Sequence, residues 1–194
     1  MDDEPKPSGV LDELHALDTA IYQAVAATPT PKLDAALHGL TGFADNSKLW
    51  FVTAAAIAAV GGRTGRRAAL NGVAAIGLAS LVTNQGFKRA HRRPRPDREV
   101  AAVPQMRRVP MPTSTSFPSG HSASAFAFAE GVAHTVPWLG IPLRLAATTV
   151  AYTRVHAGVH YPGDVVAGSL IGLACGQIAP HVVDRVADRV AAGT

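Results

Sequence analysis

The chain has 194 residues, of which 47% are hydrophobic and 16% charged, with a net charge of +4. That length suits one domain. The apolar residues come in long uncharged blocks with the charge confined between them, which argues against a soluble all-helical domain and for a membrane protein.

Residues 1–9 are acidic and rich in proline and are expected to be disordered. No apolar h-region follows them, so no cleavable signal peptide is expected. Val10, Leu14, Leu17, Ile21 and Val25 then share one face of a helix, with Asp12, Glu13 and Asp18 elsewhere. Thr30-Pro31 reads as a cap and first-turn pair for a second helix, with Leu33, Leu37 and Leu40 on its apolar side. Both helices, within residues 10–47, are expected to lie at a membrane surface or cover the bundle, without chemistry of their own.

Residues 48–183 carry the membrane domain. The segment 49–62 is uncharged, with Lys48 able to snorkel at its start. A tight basic turn at Arg63, Arg66 and Arg67 leads to 68–87, the clearest span. The loop 88–118 is rich in Pro and Arg and has no periodicity. An apolar segment at 119–136 follows. Pro137, Gly140 and Pro142 mark a turn, and 143–153 and 165–179 complete the set. Gly168, Gly172 and Gly176 recur every fourth residue, a smooth stripe for close helix packing. Residues 184–194 form a polar tail. The fold class is all-α: a polytopic membrane helical bundle of about five spanning helices plus the N-terminal amphipathic surface helices.

Five alternating spans put 88–118 and 154–163 on one face. There they bring together KRAHRRPRP (88–96), FPSGH (117–121) and TRVHAGVHYPGD (153–164). Lys88, Arg89, Arg92, Arg93, Arg95, Arg98, Arg107 and Arg108 crowd the first loop, a cluster suited to nucleic acid, anionic lipid or a phosphorylated substrate. Phosphoryl transfer needs positive charge on the phosphate oxygens, an in-line nucleophile and an acid for the leaving group. Lys88, Arg95 and Arg154 can supply the charge. Ser119 and Gly120 sit at a helix start, where backbone N–H groups and the serine hydroxyl can hold an anion. Asp164 can reach one ring nitrogen of His160 and free the other to attack phosphorus, through a phosphohistidine that water then cleaves. His121 is placed to protonate the leaving oxygen.

No ligand cluster for a metal is evident, and neither metal nor cofactor is required. Arg89, Arg92, Arg93, Ser114, Thr115 and Ser116 are given no role in the chemistry. His91 and His156 are expected to pack or face water. Glu130, inside a span, points away from the site and is expected to pair with His134.

Lys88-x6-Arg95-Pro96, Pro118-Ser119-Gly120-His121 and Thr153-Arg154-x5-His160-x3-Asp164 resemble, in order and spacing, the three signature motifs of the type 2 phosphatidic acid phosphatase (PAP2) superfamily. The apolar setting extends the resemblance over about 49–179. The resemblance implies roles for Lys88, Arg95, Ser119, Gly120, His121, Arg154, His160 and Asp164 like those argued above. Thr153 departs from the family's usual serine but keeps the hydroxyl. Many members have six spans, and here surface helices stand in place of the first.

The implied activity is hydrolysis of a membrane lipid phosphate or diphosphate: a polyprenyl diphosphate, phosphatidic acid, phosphatidylglycerol phosphate or polyprenyl phosphosugar. No nucleic-acid partner is expected. The alternatives are a vanadate-dependent haloperoxidase, whose known forms are soluble and much larger, and a non-enzymatic protein that binds anionic lipid. The Ala-, Arg- and Gly-rich usage suggests a bacterial plasma membrane. The Arg63 turn marks the cytoplasmic side and so turns the site outward.

Overall fold

The structure, a computed structural model, describes residues 9–192. Residues 1–8, on which the disordered N-terminus was expected, lie outside the described residues, as do the last two of the tail. All regular elements are helical. In order they are α1 (Val10–Ala27), α2 (Pro31–Phe43), α3 (Lys48–Val60), α4 (Gly62–Leu81), α5 (Lys88–Ala90), α6 (Gly120–Thr135), α7 (Gly140–His156) and α8 (Pro162–Ala192). A π turn, Val82–Phe87, joins α4 to α5, so the helical path from Gly62 to Ala90 is continuous.

α6 is the central helix. Ala125, Ala127, Phe128, Ala129 and Val132 are wholly buried among α4, α7 and α8. A helix that is apolar all round can only be an interior one. Its partner α8 runs parallel to it in a fixed register. A methyl group at Gly168 would overlap the carbonyl of Ser119, one at Gly172 the carbonyl of Ala123, and one at Gly176 the Glu130 side chain. Bare glycine lets the two backbones touch, as the repeat predicts. α4 crosses α6 in the opposite sense, Gly72 lying against Phe128 and Lys88 beside Gly120. Lys88, Ser119 and the α7–α8 connection therefore sit at one end of the bundle. The other end holds Arg67 paired with Asp184, and His134 against the ring of His181.

Among the described residues, α8 alone is long and apolar enough to cross a membrane by itself, over Pro162–Val186. α3, α6 and α7, at 13, 16 and 17 residues, fall short of the roughly 20 that a bilayer core asks of a single span. Phe51, Leu70, Leu145, Val166, Leu170 and Ile178 face outward and give the bundle an apolar exterior.

Several expectations need correction. The apolar stripe of α1 does not cover the bundle. Val10, Leu14, Leu17 and Ile21 face out, while Asp18, Tyr22 and Ala26 are buried, because Asp18 finds partners inside. On α2, Leu37 packs inward with Asp34 and Thr41, and Leu33 is exposed. Glu130 does not pair with His134. Its carboxylate accepts from Arg144 Nε and Nη2 and from Gln177 Nε2, so a cation reaching in from α7 neutralises the charge that the span buries. Arg107 is not free for an anion either. Buried, it donates to Asp34 and to the carbonyls of Val25 and Thr28, fastening the long loop to the α1–α2 turn. Arg108 is held by Glu99 and the Val103 carbonyl.

Candidate active site

The three motifs meet at one end of the bundle, each on a helix terminus. His160 lies in the α7–α8 connection and is 2% exposed. Its Nδ1 is 3.4 Å from Asp164 Oδ2, and its Nε2 is 3.2 Å from Arg95 Nη1. A guanidinium only donates, so Nε2 must carry the lone pair and Nδ1 the hydrogen. Burial pushes the His160 imidazole down to about 4, the Asp164 contact opposing this and the Arg95 charge adding to it. The ring is therefore neutral across the physiological range, with its open nitrogen beside a cation.

Asp164, in the first turn of α8, is fully buried. It accepts from Ser116 Oγ, from the Tyr161 N–H at 2.9 Å and from Arg93 Nη1 at 2.9 Å. Ser116 and Arg93 are thus corrected: neither loop filler nor a lipid-attracting charge, each is bonded to the carboxylate behind His160. Arg89 and Arg92 remain exposed. Ser114 is corrected too, since its oxygens receive Lys88 Nζ at 3.3 Å, Arg95 Nε at 2.9 Å and Arg95 Nη2 at 3.2 Å. It clamps the two cations side by side. Burial lowers both, and the charge of Arg95 lowers Lys88 further. Arg154, in the last turn of α7, donates to Thr41 Oγ1 at 2.8 Å. Its Nε is buried without a hydrogen-bond partner among the described residues. An unpaired buried donor costs about 1–3 kcal/mol, which an anion oxygen would relieve.

Ser119 caps α6, its hydroxyl oxygen accepting from Ser122 N at 3.4 Å. Its own N–H is taken by the Asp164 carbonyl at 2.9 Å, so that donor is not free to hold an anion, contrary to expectation. The first-turn N–H groups of Gly120 and His121 remain, both residues lining the cavity described below. A Cβ at Gly120 would stand 3.8 Å from Lys88 Nζ, so the ammonium lies beside this helix start.

His121 has a partner that sequence reasoning missed. Its Nε2 lies 2.9 Å from Asp45 Oδ1, which is also 3.7 Å from Arg154 Nη1. Asp45 sits in the α2–α3 connection, where Asn46 and Ser47 both take left-handed dihedrals, φ 54° and 59°. Such backbone costs roughly 1–2 kcal/mol per residue and marks a turn held for a purpose. The charge of Asp45 is favoured by its hydrogen bond to His121, which lowers its pKa against the opposing effect of burial. An Asp-Asn-Ser run just before an apolar block was the available signal, but it reads as an ordinary helix start.

A cavity of about 580 Å3 opens from Lys88, Gly120 and His121. It passes Asn46 and Ser47 and continues between α3 and α4 along Trp50, Phe51, Val73, Ile76 and Gly77. Its lining is polar towards Lys88 and His121 and apolar along Trp50, Phe51, Val73 and Ile76, and His160, Arg95 and Arg154 are not part of it.

A group of metal-ligating side chains does come together, although none was expected from the sequence, because His134 on α6 meets His181 and Asp184, one turn apart on α8. His134, His181 and Asp184 bring ligand atoms within 4.8 Å of one another. The group is remote from His160. His134 stands 13 residues beyond His121 on α6, about 20 Å of helix, and Asp184 is engaged by Arg67. His91 and His156 fall as expected, His91 exposed against Phe117 and His156 buried 2.9 Å from Asp34.

The sequence profile of the PAP2 superfamily matches residues 68–188. The decaprenylphosphoryl-5-phosphoribose phosphatase of Mycobacterium tuberculosis is 32% identical over 168 residues, covering 85% of this chain and 90% of the relative. Among solved structures, Aquifex aeolicus LpxE superposes with a TM-score of 0.70 at 27% identity, over 84% of this chain and 94% of that one. A transmembrane PAP2 type phosphatidylglycerolphosphate phosphatase from Bacillus subtilis shares the fold, with a TM-score of 0.68 at 24% identity, over 90% of this chain and 88% of that one.

Proposed function

The chain belongs to the PAP2 superfamily, and on that premise we propose that it is an integral-membrane phosphatase acting on a lipid-linked phosphate or diphosphate, with His160 as nucleophile. The observation that carries this reading is the row Arg95–His160–Asp164, which leaves a neutral imidazole with its Nε2 lone pair facing a cation. Lys88, Arg95 and Arg154 hold the phosphoryl oxygens, with the N–H groups at Gly120 and His121. Ser119 keeps that helix start in place. Nε2 attacks phosphorus and the bond to the leaving oxygen breaks. His121 gives that oxygen its proton, its Nε2 held by Asp45 and its Nδ1 left to face the substrate. Water, deprotonated by His121, then cleaves the phosphohistidine and releases inorganic phosphate. The three cations supply the charge neutralisation that a metal ion would otherwise bring, so the reaction proceeds without one.

The apolar depth between α3 and α4 suits a hydrocarbon chain, with the phosphate at the mouth. A relative that covers 85% of this chain is named a decaprenylphosphoryl-5-phosphoribose phosphatase. A polyprenyl phosphosugar is therefore the first substrate class, ahead of polyprenyl diphosphate, phosphatidic acid and phosphatidylglycerol phosphate. The site faces the outer side of a bacterial plasma membrane.

Phosphate release by the detergent-purified chain, with EDTA present and those four lipids offered in parallel, tests the reading. Release undiminished by EDTA and fastest on the polyprenyl phosphosugar is expected. No release from any lipid would remove the phosphatase assignment.

Gly77 has open space where a side chain would stand, in the wall of the cavity. Gly77→Leu should lower kcat/KM for a polyprenyl substrate about tenfold or more relative to p-nitrophenyl phosphate, by filling the groove. An unchanged ratio would place the hydrocarbon chain elsewhere.

A further inference from the structure

α1 has two faces with different occupations. Outward, Val10, Leu14 and Leu17 are more than half exposed. Inward, Asp18 is 8% exposed, and its carboxylate is fully engaged. Oδ2 receives Arg93 Nη2 at 2.6 Å, and Oδ1 receives the N–H of Gly163 at 2.6 Å, in the first turn of α8. The other amino group of Arg93 donates to Asp164 Oδ1 at 2.9 Å. One guanidinium thus bridges two carboxylates, one on the peripheral helix and one behind His160. Arg93 is fixed over the ring of Tyr161, 4.2 Å from its centre, and Tyr161 packs edge-on against Tyr22 and His15 of α1. α1 sits so tightly on this turn that a methyl group at Gly163 would lie 2.9 Å from Asp18 Oδ2.

We propose that α1 is a working part of the active site, Asp18 and Arg93 being positioning residues that hold Asp164 and, through it, His160. The proposal rests on His160 being the nucleophile. Its physical content is a row of alternating charge, Asp18–Arg93–Asp164, ending on an imidazole. Arg93 sets where Asp164 stands and offsets part of its negative charge. Asp18 keeps Arg93 from swinging away, and its bond to Gly163 ties α1 to the turn that carries Asp164. The groups facing His160 are Asp164, Ser116, Arg95 and Arg154. Those facing Asp164 are Arg93, Ser116 and the Tyr161 N–H. Arg93, whose Nη2 also lies 3.1 Å from His15 Nδ1 on α1, is the cation that acts on His160 through the carboxylate.

The test uses the full chain, with p-nitrophenyl phosphate as probe and kcat and KM followed against pH. Asp18→Asn and Arg93→Gln should each lower kcat about tenfold to a hundredfold while KM stays within about twofold. Asp18→Glu should recover most of the loss. The acid limb of kcat/KM should rise by about one unit in Arg93→Gln, because the full charge of Asp164 then acts on His160. In Asp18→Asn it should not rise, because Arg93 is then the less restrained cation. Mere loosening of the fold would move both profiles alike.

The proposal is overturned if both variants keep kcat within about twofold, or if both lose it with indistinguishable profiles. Should Arg93→Gln fail to fold, Arg93→Lys keeps the charge and loses one prong, so kcat falls with the acid limb in place. A parent chain silent on every substrate would sink the phosphatase reading instead. Titration of the His160 imidazole by NMR, in the parent and in Arg93→Gln, would then still decide whether Arg93 acts on that ring.

Discussion

His160→Ala should abolish phosphate release, by about 10⁴-fold or more, while binding of inorganic phosphate stays within about tenfold. Loss of a covalent nucleophile has effects of that order, whereas on the proposed reading Lys88, Arg95 and Arg154 hold the anion. Rapid quench of the parent in alkaline denaturant with a labelled substrate should show a protein-bound phosphate stable to base and released by later acid treatment, absent from the variant. The pH dependence follows from the position of the ring. Burial and Arg95 hold the folded imidazole near 4, below the ordinary value, so His160 is protonated and silenced only as pH falls through that value. The acid limb of kcat/KM, which reports the free enzyme, should therefore carry no break near 6.5 from this residue. Several per cent of parental turnover remaining in His160→Ala would rule the residue out as nucleophile.

The second large effect depends on what leaves. His121→Asn should slow phosphoryl transfer from an alkyl phosphate about 10²–10⁴-fold, the usual worth of a placed general acid. Transfer from p-nitrophenyl phosphate should slow less than about tenfold, because nitrophenolate departs without a proton. The first-turnover burst separates this step from cleavage of the phosphohistidine. Asp45→Asn should give the same selectivity more weakly, since Asp45 Oδ1 stands 2.9 Å from His121 Nε2 and orients the ring without touching the leaving group. Equal losses on both substrates would mean that His121 binds phosphate and does not donate a proton.

The candidate site was legible where chemistry depends on spacing along the chain. His160 and Asp164 are four apart around a proline that starts a helix, and Ser119-Gly120-His121 opens another, so their contacts are local. Gly168, Gly172 and Gly176 were legible for the same reason, a stripe needing only the helical repeat. The residues that hold these groups were not legible. Asp45, Asp18 and Ser116 reach their partners across separations of 76, 75 and 48 residues, and a single acid or serine on an otherwise ordinary segment carries no periodic mark. α1 misled in a more instructive way. Its apolar stripe left open whether it meets a membrane surface or the bundle; the polar side packs inward, because the arginine-rich loop and the α8 turn give Asp18 partners there. Glu130 likewise chose Arg144 on α7 over the nearby His134, a choice fixed by how the helices lie and not by their sequence.

The parallel contact of α6 and α8 makes those two helices a stiff caliper. One arm carries His121 at its tip and the other carries Asp164 at its tip with His160 just before it, and glycine-to-backbone contact along the shafts sets the opening. A bilayer that thickens or thins is met mainly by helix tilt, and tilt turns both arms together. The jaw stays at one width while the whole instrument leans. The distance from His121 to His160 is thus expected to follow the helix contact and not the thickness of the membrane around it.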